Sequence, residues 1–382
     1  MKRIGCLSLV LLLVFCLLPT GGAAVELELD GKSAFLIDVA TGTVLYEKNS
    51  HAPLAPASVT KVMTMLLIME AIDSGKLGWQ DQVTASDTAA AKGGSQVYLK
   101  AGETMTVEEM VKSIAVSSAN DCACAMAEHL AGSEAAFVGQ MNQRAKELGM
   151  VDTHFVNCTG LDDEPEAKDH LTSAHDIAIM SRQLLKLHPD IKKYTTIWMD
   201  TIRDGAFGLS NTNKLVRFYS GATGLKTGFT SAAGYCLSAS AMRDGMELVA
   251  VVMGCESSQS RFATCKSLLD YGFANFALVD PQMPENAQVP VTLGTNDSVS
   301  AVPAEEGALL IDKAQRNQIT TQIQLEESVS APVSKGQRLG TMTVKAGEQI
   351  LSQIPLVAQE GVERLDFGDI FRILLKKFFM IK

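Results

Sequence analysis

Two short stretches near the start of the chain, residues 34–39 and 44–47, alternate apolar and polar side chains, and residues 40–43 between them have the composition of a tight turn. This period of two predicts a β-hairpin. The same period returns later in the chain on both sides of a second predicted turn, residues 243–245. The strands predicted in that later region are residues 225–230, 235–242 and 247–254.

Between these two groups of strands the apolar residues recur at helical spacing. One predicted helix covers residues 58–72, which follow Pro56 and precede Ser74-Gly75. The other predicted helices are residues 107–131, bent at residues 117–120, residues 176–187 and residues 258–276. This order predicts the α+β class, with one antiparallel sheet of five strands and helices on both sides. Strands from both ends of this region must share the sheet, which would bring Ser58 and Lys226 together.

The composition changes near residues 279–281. From there to about residue 361 the chain is rich in Val, Thr, Gln and Gly, and its short apolar or alternating runs predict a small all-β domain. These runs include residues 288–292, 308–311 and 339–344. The predicted domains are residues 25–277 with the α+β fold, residues 278–361 with the all-β fold, and residues 362–382 as an amphipathic helix.

The last segment places its charged residues on one helical face and large apolar residues on the rest. The charged residues are Asp369, Arg372, Lys376 and Lys377, and the apolar ones are Phe367, Ile370, Phe371, Leu374, Leu375 and Phe378. A spanning helix would carry all four charges into hydrocarbon, so the pattern favours a helix that lies in the membrane interface. The alternative is a helix packed on the core of the all-β domain.

The first 24 residues have the pattern of a secretory signal peptide. Lys2 and Arg3 precede an apolar run over residues 4–18, and Gly22-Ala23-Ala24 offers small residues for cleavage. The alternative, an uncleaved membrane anchor, is less favoured because the run is short and is followed at once by Pro19. Removal of the two basic residues changes the net charge from −10 to −12. An exported, acidic chain argues against nucleic acid as a partner.

Six of the eight cysteines would remain after cleavage: Cys122, Cys124, Cys158, Cys236, Cys255 and Cys265. Export permits disulfides. However, Cys122 and Cys124 lie two apart on a predicted helix and point to different sides, while Cys236 and Cys255 fall in predicted core strands. Buried free thiols are therefore expected. Neither a C-x-x-C pair nor a histidine cluster occurs, so no metal site and no cofactor are predicted.

Three short motifs carry the candidate chemistry: Ser58 with Lys61, Ser118 with Asn120, and Lys226-Thr227-Gly228. Each is common alone, but in this order they match the Ser/Lys acyl-transfer motif set. A serine hydroxyl needs an adjacent base, and a lysine three residues later on a helix lies on the same face. Lysine is a base only when its pKa is lowered, which we expect from the helix N-terminus and from Lys226 as a second cation.

The residues around these motifs resemble the D-alanyl-D-alanine carboxypeptidases, the low-molecular-mass penicillin-binding proteins. The resemblance covers residues 29–276 and is carried by residues 34–64, 117–132, 154–178 and 223–241. It implies a DD-peptidase/β-lactamase-like fold, peptidoglycan stem peptides as substrate, loss of their terminal D-alanine, and β-lactams as covalent inhibitors. It also implies attachment to the outer face of the cytoplasmic membrane through the C-terminal helix.

The resemblance further implies a role for each motif residue. Ser58 would be the nucleophile, Lys61 its base, and Ser118 the group that passes a proton to the leaving D-alanine. The implied substrate-binding residues are Asn120, Lys226, Thr227, Gly228, Phe229 and Arg261. Of these, Phe229 would contribute its backbone N–H, with that of Ser58, to the oxyanion hole. Arg261 either adds positive charge for the substrate carboxylate or is a surface arginine.

Three other interpretations remain. A serine β-lactamase of the same fold needs a glutamate that holds water, and Glu164-Pro165-Glu166 resembles such a loop, although its acidic neighbours favour a solvated loop. His170 or His175 suggests a Ser-His triad, but no Gly-x-Ser-x-Gly elbow accompanies them. A degenerate peptidoglycan-binding protein is the third, and it is disfavoured because every reactive residue is present.

Overall fold

The computed structural model describes residue 27 and residues 29–163, 165–284, 286–305 and 307–378. The predicted signal peptide, Glu164 of the lactamase-like loop and the last four residues of the predicted C-terminal helix lie outside the described residues.

The first part of the chain contains mixed strands and helices, as predicted. Its strands are β1 (Ser33–Asp38), β2 (Val44–Lys48), β3 (Gln82–Thr84), β4 (Thr104–Thr106), β5 (Met199–Ile202), β6 (Phe207–Ser210), β7 (Ala222–Thr230), β8 (Gly234–Arg243) and β9 (Met246–Cys255). Its α-helices are α1 (Lys61–Asp73), α2 (Asp87–Ala90), α3 (Val107–Ser117), α4 (Asn120–Ala131), α5 (Glu134–Glu147), α6 (Ala174–Leu187), α7 (Lys192–Thr195), α8 (Leu215–Phe218) and α9 (Ser258–Asn275). Short 3-10 helices cover Ala57–Thr60, Pro165–Asp169 and Pro189–Ile191.

The central sheet joins strands from both ends of this part, which confirms the prediction. Within the described residues it has five antiparallel strands in the order β2-β1-β9-β8-β7. Strand β1 pairs with β9 so that Phe35 lies opposite Val251. Strand β7, which carries the third motif, lies at the sheet edge, so among the described strands only β8 pairs with it.

The sheet is covered on both faces. Along β9, Val249 and Val251 point into a core shared with α1, α3, α4 and α6, while Leu248 and Val252 point into a second core under α9. Because successive side chains of a strand alternate between faces, burial on both sides explains the nearly continuous apolar sequence of β9.

Several features of this part differ from the predictions, among them the two-stranded pairs β3–β4 and β5–β6, which were not predicted. The first helix begins as a 3-10 turn, Ala57–Thr60, and becomes α-helical only at Lys61, so Ser58 lies just before α1 rather than within it. Helix α5 was not predicted, although Ser133 caps it and its buried residues Phe137, Met141 and Ala145 recur every four positions. Alanine and polar residues between these positions weaken the apolar pattern.

The C-terminal part is sheet-rich, as predicted. Its strands are β10 (Phe276–Val279), β11 (Gln288–Thr292), β12 (Ser298–Pro303), β13 (Leu309–Asp312), β14 (Ile319–Leu325), β15 (Val329–Ser330), β16 (Arg338–Ala346) and β17 (Gln349–Ala358), with a 3-10 helix at Lys313–Gln318. Six of these described strands form one sheet in the order β14-β16-β17-β12-β11-β15, around a core that includes Val289, Leu339 and Leu356. Strand β10 spans the predicted domain boundary and pairs with β13.

The last described element is helix α10 (Phe367–Phe378), in the segment where an amphipathic helix was predicted. Among the described residues, no helix combines the length and the apolar character needed to cross a membrane. Cys122, Cys124, Cys158, Cys236, Cys255 and Cys265 are all buried free thiols, which confirms the prediction made for them.

Candidate active site

The first motif brings a serine hydroxyl and a lysine amine into contact. Ser58 lies in the 3-10 turn before α1, and a 3-10 helix has three residues per turn, so residues three apart lie above each other. Lys61 Nζ donates to Ser58 Oγ over 2.9 Å and to the carbonyl oxygen of Thr159 over 2.8 Å. Lys61 is fully buried, while Ser58 is partly exposed. The pair has the geometry of a nucleophile with its base.

Burial lowers the pKa of Lys61 to about 7, and the nearby Cys158 and Asp121 oppose this by favouring the charged form. The sequence-based expectation had given a different cause, the helix N-terminus and a second cation. In the structure the main cause is the removal of the amine from water. A lysine with a pKa near neutrality can accept a proton at physiological pH.

A tight turn that follows the β-bridge residue His154 supplies the second hydrogen-bond partner of the Lys61 amine, the Thr159 carbonyl. The side-chain oxygen of Asn157 accepts hydrogen bonds from the N–H groups of Thr159 and Gly160, at 3.2 and 2.7 Å. This holds the Thr159 carbonyl against Lys61. Gly160 has φ +81°, and a Cβ there would lie 1.8 Å from the carbonyl oxygen of Ala57, so the position requires glycine. These residues belong to the family-like stretch, but the sequence reasoning gave them no role.

The second motif lies between α3 and α4. Ser118 ends α3 with left-handed backbone angles, φ 63° and ψ 29°, which a serine seldom adopts. Asn120 begins α4; its backbone N–H donates to Ser95 and its side-chain Nδ2 donates to the carbonyl of Gly93, both over 2.7 Å. Its buried Oδ1 has no hydrogen-bond partner within the described residues. The site therefore contains a fixed acceptor that a bound N–H group could satisfy.

The third motif approaches the first at the backbone level. A Cβ on Gly228 would lie 2.6 Å from the carbonyl oxygen of Pro56 and 3.1 Å from the Ser58 nitrogen, so only glycine allows this contact. Lys226 is buried, and its Nζ donates to the carbonyl of Thr227 over 3.0 Å. Burial holds the pKa of Lys226 well below its ordinary value, and the neighbouring Lys61 and Arg261 lower it further. The strand that carries Lys226 therefore meets the turn that carries Ser58, as predicted.

Thr212 connects the second and third motifs, and the sequence reasoning missed it. Its hydroxyl accepts a hydrogen bond from the Thr227 hydroxyl over 2.7 Å, and its backbone N–H donates to the carbonyl of Val116. Val116 lies two residues before Ser118, so this threonine holds the end of α3 beside β7. Nothing in the local sequence, a loop of ordinary polar residues, indicates this role.

Phe229 and Arg261 lie beside the third motif. The Phe229 side chain is 52% exposed, and its ring stacks on Tyr235 with centroids 4.2 Å apart. Arg261 is buried, so it is not a surface arginine. Its Nη1 donates to the carbonyl of Gly228 over 2.9 Å, and its guanidinium packs against the rings of Tyr235 and Phe262. It therefore adds positive charge directly behind β7.

The histidines have structural partners. His170 Nδ1 accepts the backbone N–H of Val156, so its Nε2 carries the proton and donates to Thr60 over 2.8 Å. Burial lowers the pKa of His170 to about 4. His175 Nδ1 contacts Asp176 over 2.9 Å.

Glu166 is exposed, as expected for a solvated loop. Among the described residues, no group of three His, Cys, Asp or Glu side chains could hold a metal ion.

Two family models match the chain. The model described as D-alanyl-D-alanine carboxypeptidase matches residues 21–257, and the model described as the C-terminal domain of penicillin-binding protein 5 matches residues 282–364. The first match covers strands β1 to β9, and the second covers strands β11 to β17.

Individual relatives and solved structures agree with these two family models. The D-alanyl-D-alanine carboxypeptidase DacF of Bacillus subtilis is 44% identical over 90% of this chain and 88% of its own length. DacA of Escherichia coli is 35% identical over 90% of this chain and 86% of its own length. Penicillin-binding protein 5 from Haemophilus influenzae superposes with a TM-score of 0.76 at 28% identity, covering 89% of this chain and 99% of that one. Penicillin-binding protein D2 from Listeria monocytogenes, in its ampicillin-bound form, has a TM-score of 0.59 at 32% identity, covering 65% of this chain and 99% of that one.

Proposed function

This chain belongs to the D-alanyl-D-alanine carboxypeptidase family, and on that premise we propose which of its residues carry out the reaction. It is a serine-type D-Ala-D-Ala carboxypeptidase of the penicillin-binding proteins and acts in peptidoglycan metabolism. Ser58 is the proposed nucleophile and Lys61 the proposed base. The observation that supports these roles best is the 2.9 Å contact between the buried Lys61 amine and the Ser58 hydroxyl.

In the proposed acylation step, neutral Lys61 takes the proton of Ser58 as Oγ attacks the carbonyl carbon of the penultimate D-alanine. The backbone N–H groups of Ser58 and Phe229 stabilise the oxyanion, and each such donor lowers the barrier by about 3–4 kcal/mol. The peptide bond then breaks, Ser118 passes a proton to the leaving amine, and D-alanine departs. Water hydrolyses the resulting ester and regenerates Ser58.

The remaining site residues are proposed to position the peptide. Asn120 Oδ1, which lacks a hydrogen-bond partner among the described residues, accepts an N–H of the substrate. Lys226 and Thr227 are proposed to bind the terminal carboxylate, for which Arg261 supplies a buried positive charge behind β7. Gly228 lets β7 lie against the backbone of Pro56 and Ser58, and the substrate is proposed to lie along the edge of β7 beside Ser58. The same contacts fit a β-lactam, whose strained amide resembles D-Ala-D-Ala and would acylate Ser58.

We expect the purified enzyme to release one D-alanine from a stem pentapeptide and to give a stoichiometric burst, without turnover, with a chromogenic β-lactam. Both readouts follow if Ser58 forms the acyl-enzyme and a bound lactam fragment blocks water. Free D-alanine and product absorbance are the measurements, and a cross-linked muropeptide dimer added in parallel measures endopeptidase activity. Continuous lactam turnover would favour a β-lactamase, and the absence of any burst would favour a degenerate binding protein.

We also propose that the mature enzyme is exported and that α10 holds it on the outer face of the cytoplasmic membrane. Several apolar side chains of α10 are exposed: Phe367 is 84%, Leu374 59% and Phe371 54% accessible. Exposure of these residues supports an interfacial helix better than a helix packed on the β-sheet. Asp369 and Arg372 pair with each other at 3.7 Å on this helix.

A chain stopped after Glu363 is therefore expected to leave the membrane fraction while keeping full penicillin acylation. Each large apolar side chain withdrawn from the acyl region weakens binding. Cell fractionation at one salt concentration and one expression level measures the effect. A full-length chain with Phe371→Ser and Leu374→Ser tests the same contact without truncation and should also be released from the membrane fraction. Retention of the truncated chain with the membranes would rule out the anchor.

A further inference from the structure

A wide groove lies beside the proposed active site and has no part in the reaction described above. It has a volume of about 630 Å³ and runs between residues 97–103 and the β5–β6 hairpin. Its walls include two aromatic rings, Tyr98 and Phe207, and a carboxylate and a guanidinium, Glu103 and Arg203. A concave surface that combines aromatic faces with a few fixed polar groups is typical of ligand sites.

Tyr98 is held outward by the bonds on both sides of it. The backbone N–H groups of Val97 and Leu99 both donate to the carboxylate of Asp121, at 3.1 and 3.0 Å, and both side chains are buried. Tyr98 between them has φ 58° and is 69% exposed. The fold therefore fixes this ring in solvent, instead of covering it.

The opposite wall is equally fixed. Arg203 Nε donates to Glu103 over 2.7 Å, and its Nη1 donates to the carbonyl of Val97 over 2.9 Å. The guanidinium lies 5.3 Å from the centroid of Phe207, whose ring meets Tyr98 edge-on at 6.3 Å. Because these groups already hold each other, a ligand would find the groove formed in advance.

The segment that forms one wall of the groove is also hydrogen-bonded to the start of α4, where Asn120 of the second motif lies. Asp121 follows Asn120 directly, and Ser95, whose carbonyl accepts the Asn120 N–H over 2.7 Å, lies three residues before Tyr98. Three residues span at most about 11 Å, and the four stem residues before the scissile bond span about 14 Å when extended. Tyr98 therefore lies within about 11 Å of the residue that bonds Asn120, a distance shorter than the part of the stem peptide that extends from Ser58 towards the glycan.

We propose that this groove binds a sugar ring of the glycan strand that carries the stem peptide. An N-acetylated sugar ring has C–H groups on its faces, which pack on the electron-rich face of an aromatic ring, and hydroxyl and acetamido groups at its edge, which can bond to Glu103 and to exposed backbone groups. The inference rests on the proposed carboxypeptidase function and extends it, because it makes the enzyme prefer glycan-linked pentapeptides over free peptides.

The test compares two substrates, a disaccharide-pentapeptide and an N-acetylated tripeptide that ends in D-Ala-D-Ala, with D-alanine release as the readout. Tyr98→Ala is expected to lower kcat/KM for the disaccharide-pentapeptide about tenfold, mainly through KM, and to leave the tripeptide rate and penicillin acylation unchanged. Tyr98→Phe keeps the ring and should behave like the unsubstituted enzyme. Phe218→Ala removes an equally exposed ring outside the groove and should affect neither substrate.

Equal losses for both substrates in Tyr98→Ala would mean that the ring supports the active site or contacts the peptide, and this would overturn the inference. An unchanged rate for both would overturn it as well. If the unsubstituted enzyme hydrolyses neither substrate, the carboxypeptidase function fails, and the inference fails with it. Release of D-alanine from both at equal kcat/KM by every variant would contradict the glycan contact alone.

Discussion

Replacing Ser58 by alanine is expected to lower D-alanine release by about a millionfold and to abolish penicillin acylation. The substitution removes the atom that forms the ester, and no other hydroxyl among the described residues is shown in contact with Lys61 Nζ. The fold should remain, because Ser58 is partly exposed and lies in a short turn at the surface of the cleft. Steady-state release of D-alanine and the thermal unfolding midpoint are the two measurements.

Ser210→Ala is a suitable control, because Ser210 is an exposed serine at the end of β6 and belongs to none of the three motifs. It should keep full activity. If Ser58→Ala retained more than about a thousandth of the activity while Ser210→Ala was normal, another nucleophile would have to be sought.

Replacing Lys61 by arginine is expected to reduce acylation by about a thousandfold, the loss typical of removing a general base. Arginine stays protonated at every accessible pH and cannot take the serine proton. In the unsubstituted enzyme, acylation should rise with pH and level off above about 7, because burial lowers the pKa of Lys61 to about 7 and the neutral amine is the base. This rising limb should disappear from the residual activity of the variant. Stopped-flow acylation with a chromogenic β-lactam between pH 5 and pH 9, a range chosen to bracket this pKa, measures both effects.

Lys61 is fully buried, and the larger arginine side chain changes the packing around it. A second variant, Lys61→Met, provides an apolar side chain of similar length that fits a buried position. Lys61→Met should unfold at nearly the same temperature as the unsubstituted enzyme, and both variants should lose acylation. Normal acylation in a folded Lys61→Met variant would transfer the role of base to another group.

The features that the sequence predicted depend on short-range patterns. The β1–β2 hairpin, the bend between α3 and α4, and the strands β7 to β9 each follow from periodicity and from turn residues within a few positions. The three motifs could be assigned to one site because their residue types match one chemistry. Their meeting then required only that strands from both ends of the region share a sheet, which the order of elements implied.

The features that the sequence reasoning missed depend on contacts between distant segments. Gly160 is required because the Ala57 carbonyl lies where its Cβ would be, and Ala57 is about a hundred residues earlier in the chain. Thr212 links two motifs from an ordinary loop. The cause of the lowered Lys61 pKa was also misassigned, because burial of one side chain depends on the packing of the whole domain.

The central claim is that Ser58 forms the covalent acyl-enzyme, and mass spectrometry of the penicillin-treated protein tests it most directly. The intact protein should gain the mass of one penicillin, and after digestion the adduct should lie on the peptide that contains Ser58. Ser58→Ala, treated in the same way, should gain no mass. An adduct on another peptide, or one that persists in Ser58→Ala, would contradict the account.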